Sequence, residues 1–226
     1  MPVGFTAVIF DADGTLIDSK DDIAVAVNHA LKAMGRPTLP HQQIYRYIGH
    51  GGLILVASAL RGGEPVLHPD PALQAEGKEA LKHFLAYYSQ HPVDHTRLFP
   101  GVAETLAELS RRGKKLAVAT NKDLALTRQI LRQLQTESYF SIILGDGNAP
   151  ARKPDPEIIR EILRSFDVPP SAAVMVGDSD VDVQTARNAG TAAIGLTYGH
   201  GGRTSLEKAG ADWVVDDMRD LLEILA

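Results

Sequence analysis

Thr6-Ala7-Val8-Ile9-Phe10 is a short apolar run that stops at Asp11-Ala12-Asp13-Gly14-Thr15. A continuous apolar run of this length, closed by a turn signal, reads as a strand buried on both faces. Asp-Gly after a strand is ordinarily a turn former, and a lone Asp there more often caps a helix than reacts. Here Asp11 and Asp13 stand at the carboxyl end of the strand, where open α/β sheets bind ligands. The two carboxylates can converge on one hard cation, and Gly14 lets the backbone turn sharply beside them.

Beyond this segment the sequence changes character twice. Residues 17–90 read as helical. Ser19 is placed to cap a helix carrying Ile23, Val27, Ala30 and Leu31 at helical spacing, stopped by Gly35 and Pro37. Ile44 to Ile48 and Leu53 to Leu60 read as short helices on either side of Gly49 to Gly52. Asp70-Pro71 opens a longer helix to about Tyr88, with Gly77 a weak spot in it. From Pro100-Gly101 onward, strands alternate with helices. Strands are expected at Leu116 to Ala119, Ser141 to Leu144, Ala173 to Val176, Ala192 to Leu196 and Trp213 to Val215. Such alternation with short links predicts an α/β fold, a Rossmann-like parallel sheet wrapped by helices. The helical block interrupts that pattern after the first strand, so it reads as an inserted α-helical cap. The core domain is then 1–16 and 91–226, the cap is 17–90, and Thr15 to Ser19 and Gln90 to Leu98 are the candidate hinges.

Composition narrows the function. The chain has no Cys, which removes disulfide scaffolds, zinc fingers and thiol nucleophiles. Its 226 residues are enough to bury a core without such staples. With 28 acidic against 23 basic side chains there is no cationic excess for a phosphate backbone, so no nucleic-acid partner is expected. The stretch MPVGFTAVIFDAD has no basic leader, and no apolar run approaches the ~18 residues of a membrane helix. A cytoplasmic protein with no membrane partner is the expectation. The net charge of −5 looks hostile to a phosphate substrate. Whole-chain charge says little about one site, however, and a bound cation together with Lys153 would offset local carboxylates.

Three further features lie at or after expected strand ends: Thr120 with Asn121 and Lys122, Lys153 before Pro154, and Gly177-Asp178-Ser179-Asp180-Val181-Asp182. Asp178, Asp180 and Asp182 imitate the start of a helix–loop–helix calcium site, but Val183 stands where its Gly belongs and Ala189 where its Glu belongs. Taken together, carboxylates from two strands, a cation and a hydroxyl at one sheet edge are equipment for phosphoryl transfer. Oxygen ligands of this kind suit Mg²⁺. Gly-His-Gly-Gly occurs at 49–52 and again at 199–202 in different surroundings, which reads as coincidence. The other histidines, His200 among them, lack metalloprotease spacing.

Asp11-x-Asp13-Gly-Thr, Thr120, Lys153-Pro and Gly177-Asp178-Ser-x-x-Asp182 together resemble the haloacid dehalogenase-like hydrolase superfamily, across nearly the whole chain. Asp18-Ser19, Arg46-Tyr47-Ile48-Gly49-His50-Gly51, Phe99-Pro100-Gly101-Val102 and Ala119-Thr120-Asn121-Lys122 are similar to its phosphoglycolate phosphatase group. The resemblance implies a core of the haloacid dehalogenase type and a Mg²⁺-dependent phosphomonoester hydrolase acting through an aspartyl-phosphate. It gives Asp11 as nucleophile and Asp13 as acid and base. It gives Asp11, the Asp13 carbonyl and Asp178 as metal ligands, with Asp182 steadying waters or Lys153. Thr120 and Lys153 would hold the phosphoryl group, and Arg46 and Asn121 would touch substrate. Arg46 suits the carboxylate of 2-phosphoglycolate, the favoured small phosphate ester. Pyrophosphate, nucleotides and sugar phosphates remain alternatives. So do a sugar-phosphate mutase and a non-catalytic binding protein on the same scaffold. A homodimer is the one assembly to test for.

Overall fold

The computed structural model describes residues 4–226. The chain begins β1 (Ala7–Phe10), β2 (Ile17–Asp18), α1 (Lys20–Ala33), α2 (His41–Tyr45), α3 (Gly52–Arg61) and α4 (Pro71–Tyr88). It continues β3 (Arg97–Leu98), α5 (Val102–Arg111), β4 (Lys115–Asp123), α6 (Leu124–Gln133), β5 (Ile142–Asp146) and α7 (Glu157–Phe166). It closes β6 (Ala173–Gly177), α8 (Asp180–Ala189), β7 (Ala192–Leu196), α9 (Gly202–Ala209), β8 (Trp213–Val215) and α10 (Leu221–Ile224).

Six strands form one parallel sheet in the order β5-β4-β1-β6-β7-β8. All four residues of β1 are buried, as its unbroken apolar run requires. Their side chains alternate between two cores. Val8 and Phe10 join Leu116, Val118, Val174 and Val176 beneath Leu106 and Leu109 of α5, Ile130 of α6 and Leu221 of α10. Ala7 and Ile9 join Ala117, Ala119, Ala173 and Met175 on the opposite face, against Ile158 and Ile162 of α7 and Val183 and Ala186 of α8. Each large aliphatic side chain buried this way contributes about 1.5–3 kcal/mol. The chain leaves β1 toward β4 and β5, then returns to β6 on the other side. The carboxyl end of β1 is therefore the point where strand order reverses, and crevices for ligands open at such points.

The helical block is reached and left through a two-stranded antiparallel ribbon, Ile17 opposite Leu98 and Asp18 opposite Arg97. Asp22, in the first turn of α1, accepts hydrogen bonds from the backbone N–H groups of His95 and Thr96, the Thr96 hydroxyl and the His95 ring. Its side chain is 3% exposed. The segment 90–98, read from sequence as a hinge, is stapled to α1 by this carboxylate. Gly77 is a packing device: a Cβ there would lie 3.2 Å from Leu53 Cδ1 and 3.5 Å from Ala57 Cβ, where α3 crosses α4. Asp70 caps α4 by accepting from Leu73 N at 2.9 Å, with Pro71 in the first turn.

Element limits depart from the sequence reading in two places that matter. Helix α2 covers His41–Tyr45, because Pro40 sets its start; residues 46–48 form a turn leading to Gly49. Strand β4 runs on to Asp123, with a register shift against β5 between Ala119 and Asp123. Thr120, Asn121 and Lys122 occupy that irregular stretch. Among the described residues no helix is long and apolar enough to cross a membrane.

Candidate active site

The first carboxylate is fixed by the strand that carries it. Asp11 N donates to Val176 O at 2.9 Å, continuing the β1–β6 pairing by one residue. The chain then turns tightly, with Ala12 O accepting from Leu16 N at 2.9 Å and Ile17 N at 3.1 Å. Gly14 sits at φ +84°, and a Cβ there would come within 2.2 Å of Asp178 Oδ2, so no other residue fits.

Lys153 joins the two strand ends. Its buried Nζ lies 2.8 Å from Asp11 Oδ1 and 2.6 Å from Asp182 Oδ1. Burial alone would lower its proton affinity, but Asp11 and Asp182 outweigh that and raise it. Burial raises Asp11 above the ordinary carboxylate range; Lys153 works against this, while Asp182 and Asp178 add to it. Asp182 is fully engaged. Its second oxygen accepts from Asp178 N, Ser179 N and Ser179 Oγ, closing a capping box at the start of α8. Asp178 accepts from Thr15 Oγ1 at 3.1 Å and from His200 N at 2.7 Å. His200 Nδ1 also lies 3.0 Å from Asp178 Oδ2. Burial opposes protonation of that ring, and the bond to Asp178 outweighs it, so its proton affinity is raised.

Asp13 has different company. Ser19 Oγ donates to its Oδ1 at 2.5 Å, and Lys122 Nζ lies 3.1 and 3.3 Å from its two oxygens. Lys122 Nζ also donates to Tyr88 Oη at 3.0 Å and stands 4.5 Å from the centre of that ring. Burial opposes the charge on Lys122; Asp13 and Tyr88 more than compensate and raise its proton affinity. Asp11, Asp13, Thr120, Asn121, Lys122 and Tyr88 share one cavity of about 60 Å³ between the sheet edge and the helical block. Its far wall is apolar: Ile23, Leu55, Leu81, Phe84 and Leu85.

Carboxylate oxygens of Asp11, Asp178 and Asp182 lie within 4.8 Å of one another. The donor set fits a hard cation with a definite choice of ligands. Asp11 Oδ1 is buried and makes no aligned hydrogen bond, despite the nearby Lys153. With Asp182 spent on Lys153 and the α8 cap, Asp11 and Asp178 are the pair with lone pairs left for a metal.

Most residues singled out from the sequence meet here: Asp11, Asp13, Thr120, Lys153, Asp178 and Asp182 all converge on the sheet edge. Two do not behave as expected. The Arg46 guanidinium is exposed and paired with Glu64 at 2.5 Å; Arg46 lines an adjoining cleft with Gly49, Ser179 and His200 rather than the cavity itself. Asn121 lines the cavity and also holds protein. Its Oδ1 accepts from Lys153 N at 2.9 Å, and its Nδ2 donates to Lys153 O and to Gly49 O at 3.1 Å each. It fixes Lys153 and ties the loop at Gly49 to the core. The helix cap considered for Asn121 is made by Asp123, which accepts from Leu126 N. Ser19 likewise gives its hydroxyl to Asp13 and leaves α1 without a side-chain cap.

Residues that the sequence names without assigning them work in the site are Lys122, Tyr88, Thr15, Ser19 as an Asp13 partner, and His200. The second Gly-His-Gly-Gly held a usable signal. A Cβ on Gly199 would come 2.3 Å from Asp178 Cβ, and one on Gly201 would come 2.5 Å from Asp178 O. Both glycines exist so that their loop can wrap Asp178.

The family model for haloacid dehalogenase-like hydrolases matches residues 8–196. A phosphoglycolate phosphatase of Vibrio parahaemolyticus is 37% identical over 222 residues, covering 97% of this chain and 95% of that protein. One from Haemophilus influenzae is 35% identical over 225 residues, all of both chains. The crystal structure of a predicted phosphoglycolate phosphatase from Haemophilus somnus superposes with a TM-score of 0.87 at 31% identity, over 99% of each chain. With its Asp11-bearing strand, lysine bridge and capped carboxylate inside the matched span, the chain belongs to the haloacid dehalogenase-like hydrolases.

Proposed function

We propose that the protein hydrolyses a small phosphate monoester, 2-phosphoglycolate in the first place, to the alcohol and inorganic phosphate. What carries this is the division of labour between the two aspartates of one turn. Asp11 sits among Lys153, Asp178 and Asp182, where a phosphoryl group finds cationic charge. Asp13 lines the same cavity beside Ser19 and Lys122, toward the apolar wall of the helical block, where a leaving group would lie. Relatives named phosphoglycolate phosphatase, alignable over nearly the full chain, support the substrate.

On this reading an Asp11 carboxylate oxygen forms a bond to phosphorus as the bond to the ester oxygen breaks. Asp13, protonated, gives its proton to that departing oxygen. Asp13 then takes a proton from the water that attacks phosphorus, which releases phosphate and restores Asp11. Thr120 Oγ1 and Lys153 Nζ bind the phosphoryl oxygens in both steps. Mg²⁺, held by Asp11, Asp178 and the Asp13 carbonyl, would supply positive charge against the phosphate. The apolar wall excludes bulk water.

A panel of phosphate monoesters assayed with Mg²⁺, ranked by kcat/KM, tests the proposal. We expect 2-phosphoglycolate to lead, chelation to abolish turnover, and Asp11→Asn to lower kcat at least a thousandfold. Turnover by Asp11→Asn at the wild-type rate would remove the nucleophile assignment. A different ester leading by orders of magnitude would remove the substrate.

A further inference from the structure

Among the described residues that line the cavity, Lys122 alone is cationic. Arg46, the sequence candidate for a substrate carboxylate, is outside it and occupied by Glu64. We propose that Lys122 is the specificity-determining residue of the site: its Nζ binds a carboxylate attached directly to the ester-bearing carbon while Asp13 faces the ester oxygen. The inference rests on the phosphatase reading above and adds to it the atom that recognises the leaving group.

The geometry sets the length of that leaving group. Nζ is 3.1 and 3.3 Å from the two Asp13 oxygens. In a phosphorylated 2-hydroxy acid the carboxylate oxygens lie about 3 Å from the ester oxygen, across two carbons. A substrate that offers its ester oxygen to Asp13 thus brings its carboxylate to Nζ, whereas a longer spacer overshoots it. An ammonium has three N–H donors and turns freely about its stem, so it can serve Asp13, Tyr88 and an incoming carboxylate together. Tyr88 holds it in place, with its hydroxyl at 3.0 Å and its fully buried ring beneath.

The rest of the lining is largely aliphatic side chain and glycine backbone, and its other charged groups, Asp11, Asp13, Asp123 and Asp146, are all acidic. A carboxylate desolvated against Ile23, Leu55, Leu81, Phe84 and Leu85 is costly unless a cation meets it.

The test compares 2-phosphoglycolate with ethyl phosphate, which has the same ester and no carboxylate, in wild type and in Lys122→Met. The ratio of the two kcat/KM values does not depend on the folded fraction of either preparation. We expect wild type to favour phosphoglycolate and Lys122→Met to shrink that preference at least tenfold. A preference that survives in Lys122→Met overturns the assignment of Lys122 and leaves the substrate standing. A wild type that hydrolyses both esters without preference overturns the substrate reading, and this inference with it. A second comparison covers a Lys122→Met that does not fold: phosphoglycolate against its neutral amide, in wild type and in Lys122→Gln. Wild type should discriminate against the amide at least tenfold, and Lys122→Gln should narrow the gap. Equal use of acid and amide by wild type overturns the proposal.

Discussion

Asp22→Asn isolates the staple between the helical block and the segment that returns from it. The carboxylate takes bonds from His95 N at 3.0 Å, the His95 ring at 2.8 Å, Thr96 N at 2.8 Å and Thr96 Oγ1 at 2.7 Å. An amide keeps one acceptor oxygen and turns the other into a donor, so one of the two groups of donors is left facing an NH₂. Hydrogen bonds to a charged group contribute about 1.5–3 kcal/mol each, and buried donors without partners cost about 1–3 kcal/mol each. The His95 ring can take up water, being 63% exposed, so the loss should be about 2–4 kcal/mol. For a chain of this size that is a drop in Tm of about 5–15 °C. Burial alone would raise the proton affinity of Asp22, but the bonds from Thr96 and His95 outweigh it and hold the carboxyl below its ordinary 3.8. A group depressed in the folded state contributes its full stabilisation above the unfolded value and loses it as pH falls through the folded one. Denaturant melts of wild type and Asp22→Asn should therefore be well separated at pH 7 and draw together below about pH 4. A separation under about 0.5 kcal/mol at pH 7, or one that stays constant into acid, would refute the staple.

Gly199→Ala places a Cβ 2.3 Å from that of Asp178, so the loop must move off the carboxylate. We expect at least a tenfold loss of Mg²⁺ affinity by titration calorimetry, with the far-UV circular dichroism spectrum retained. Lys153→Met removes the cation between Asp11 and Asp182, and breaking a buried pair of this kind costs about 3–5 kcal/mol. Thermal melts should show that loss without metal and partial recovery on adding Mg²⁺, a larger metal-induced rise in Tm than wild type gives.

How far the sequence could be read depended on whether a residue's partner was local. The sheet was legible because β1 and β6 are unbroken apolar runs closed by Asp or Gly-Asp, and a period and a stop signal are local properties. Asp11, Asp13 and Asp178 were legible for the same reason, as strand ends followed by turns. Lys122 was not, because nothing near it in sequence distinguishes a buried lysine from a solvated one. Its partners are 109 residues away in Asp13 and 34 away in Tyr88. At Asn121 and Ser19 the helix cap that the local sequence offers is not made. Each sits where a local rule offers a cap, and a longer-range partner won: Lys153 and Gly49 for the amide, Asp13 for the hydroxyl. Arg46 was read by its charge alone, which cannot reveal that Glu64 lies within reach.

The two aspartates also differ in which part of the chain completes them. The charged groups clustered on the Asp11 carboxylate, Lys153, Asp178 and Asp182, come from the α/β core. Asp13 is finished from the helical block. Ser19 precedes α1 and bonds it directly; Tyr88 ends α4 and holds Lys122 against it. A change in the packing of α1 or α4 thus reaches Asp13, Lys122 and the apolar wall while leaving the Asp11 cluster as it is. On the proposed mechanism the phosphoryl group, the same in every monoester, would be met by the half of this arrangement that the sheet builds. The leaving group, where substrates differ, would be met by the half that the helical block completes. The short ribbon of β2 and β3, and the Asp22 staple beside it, hold those halves in register, so loosening either should blur leaving-group selection before it impairs phosphoryl binding.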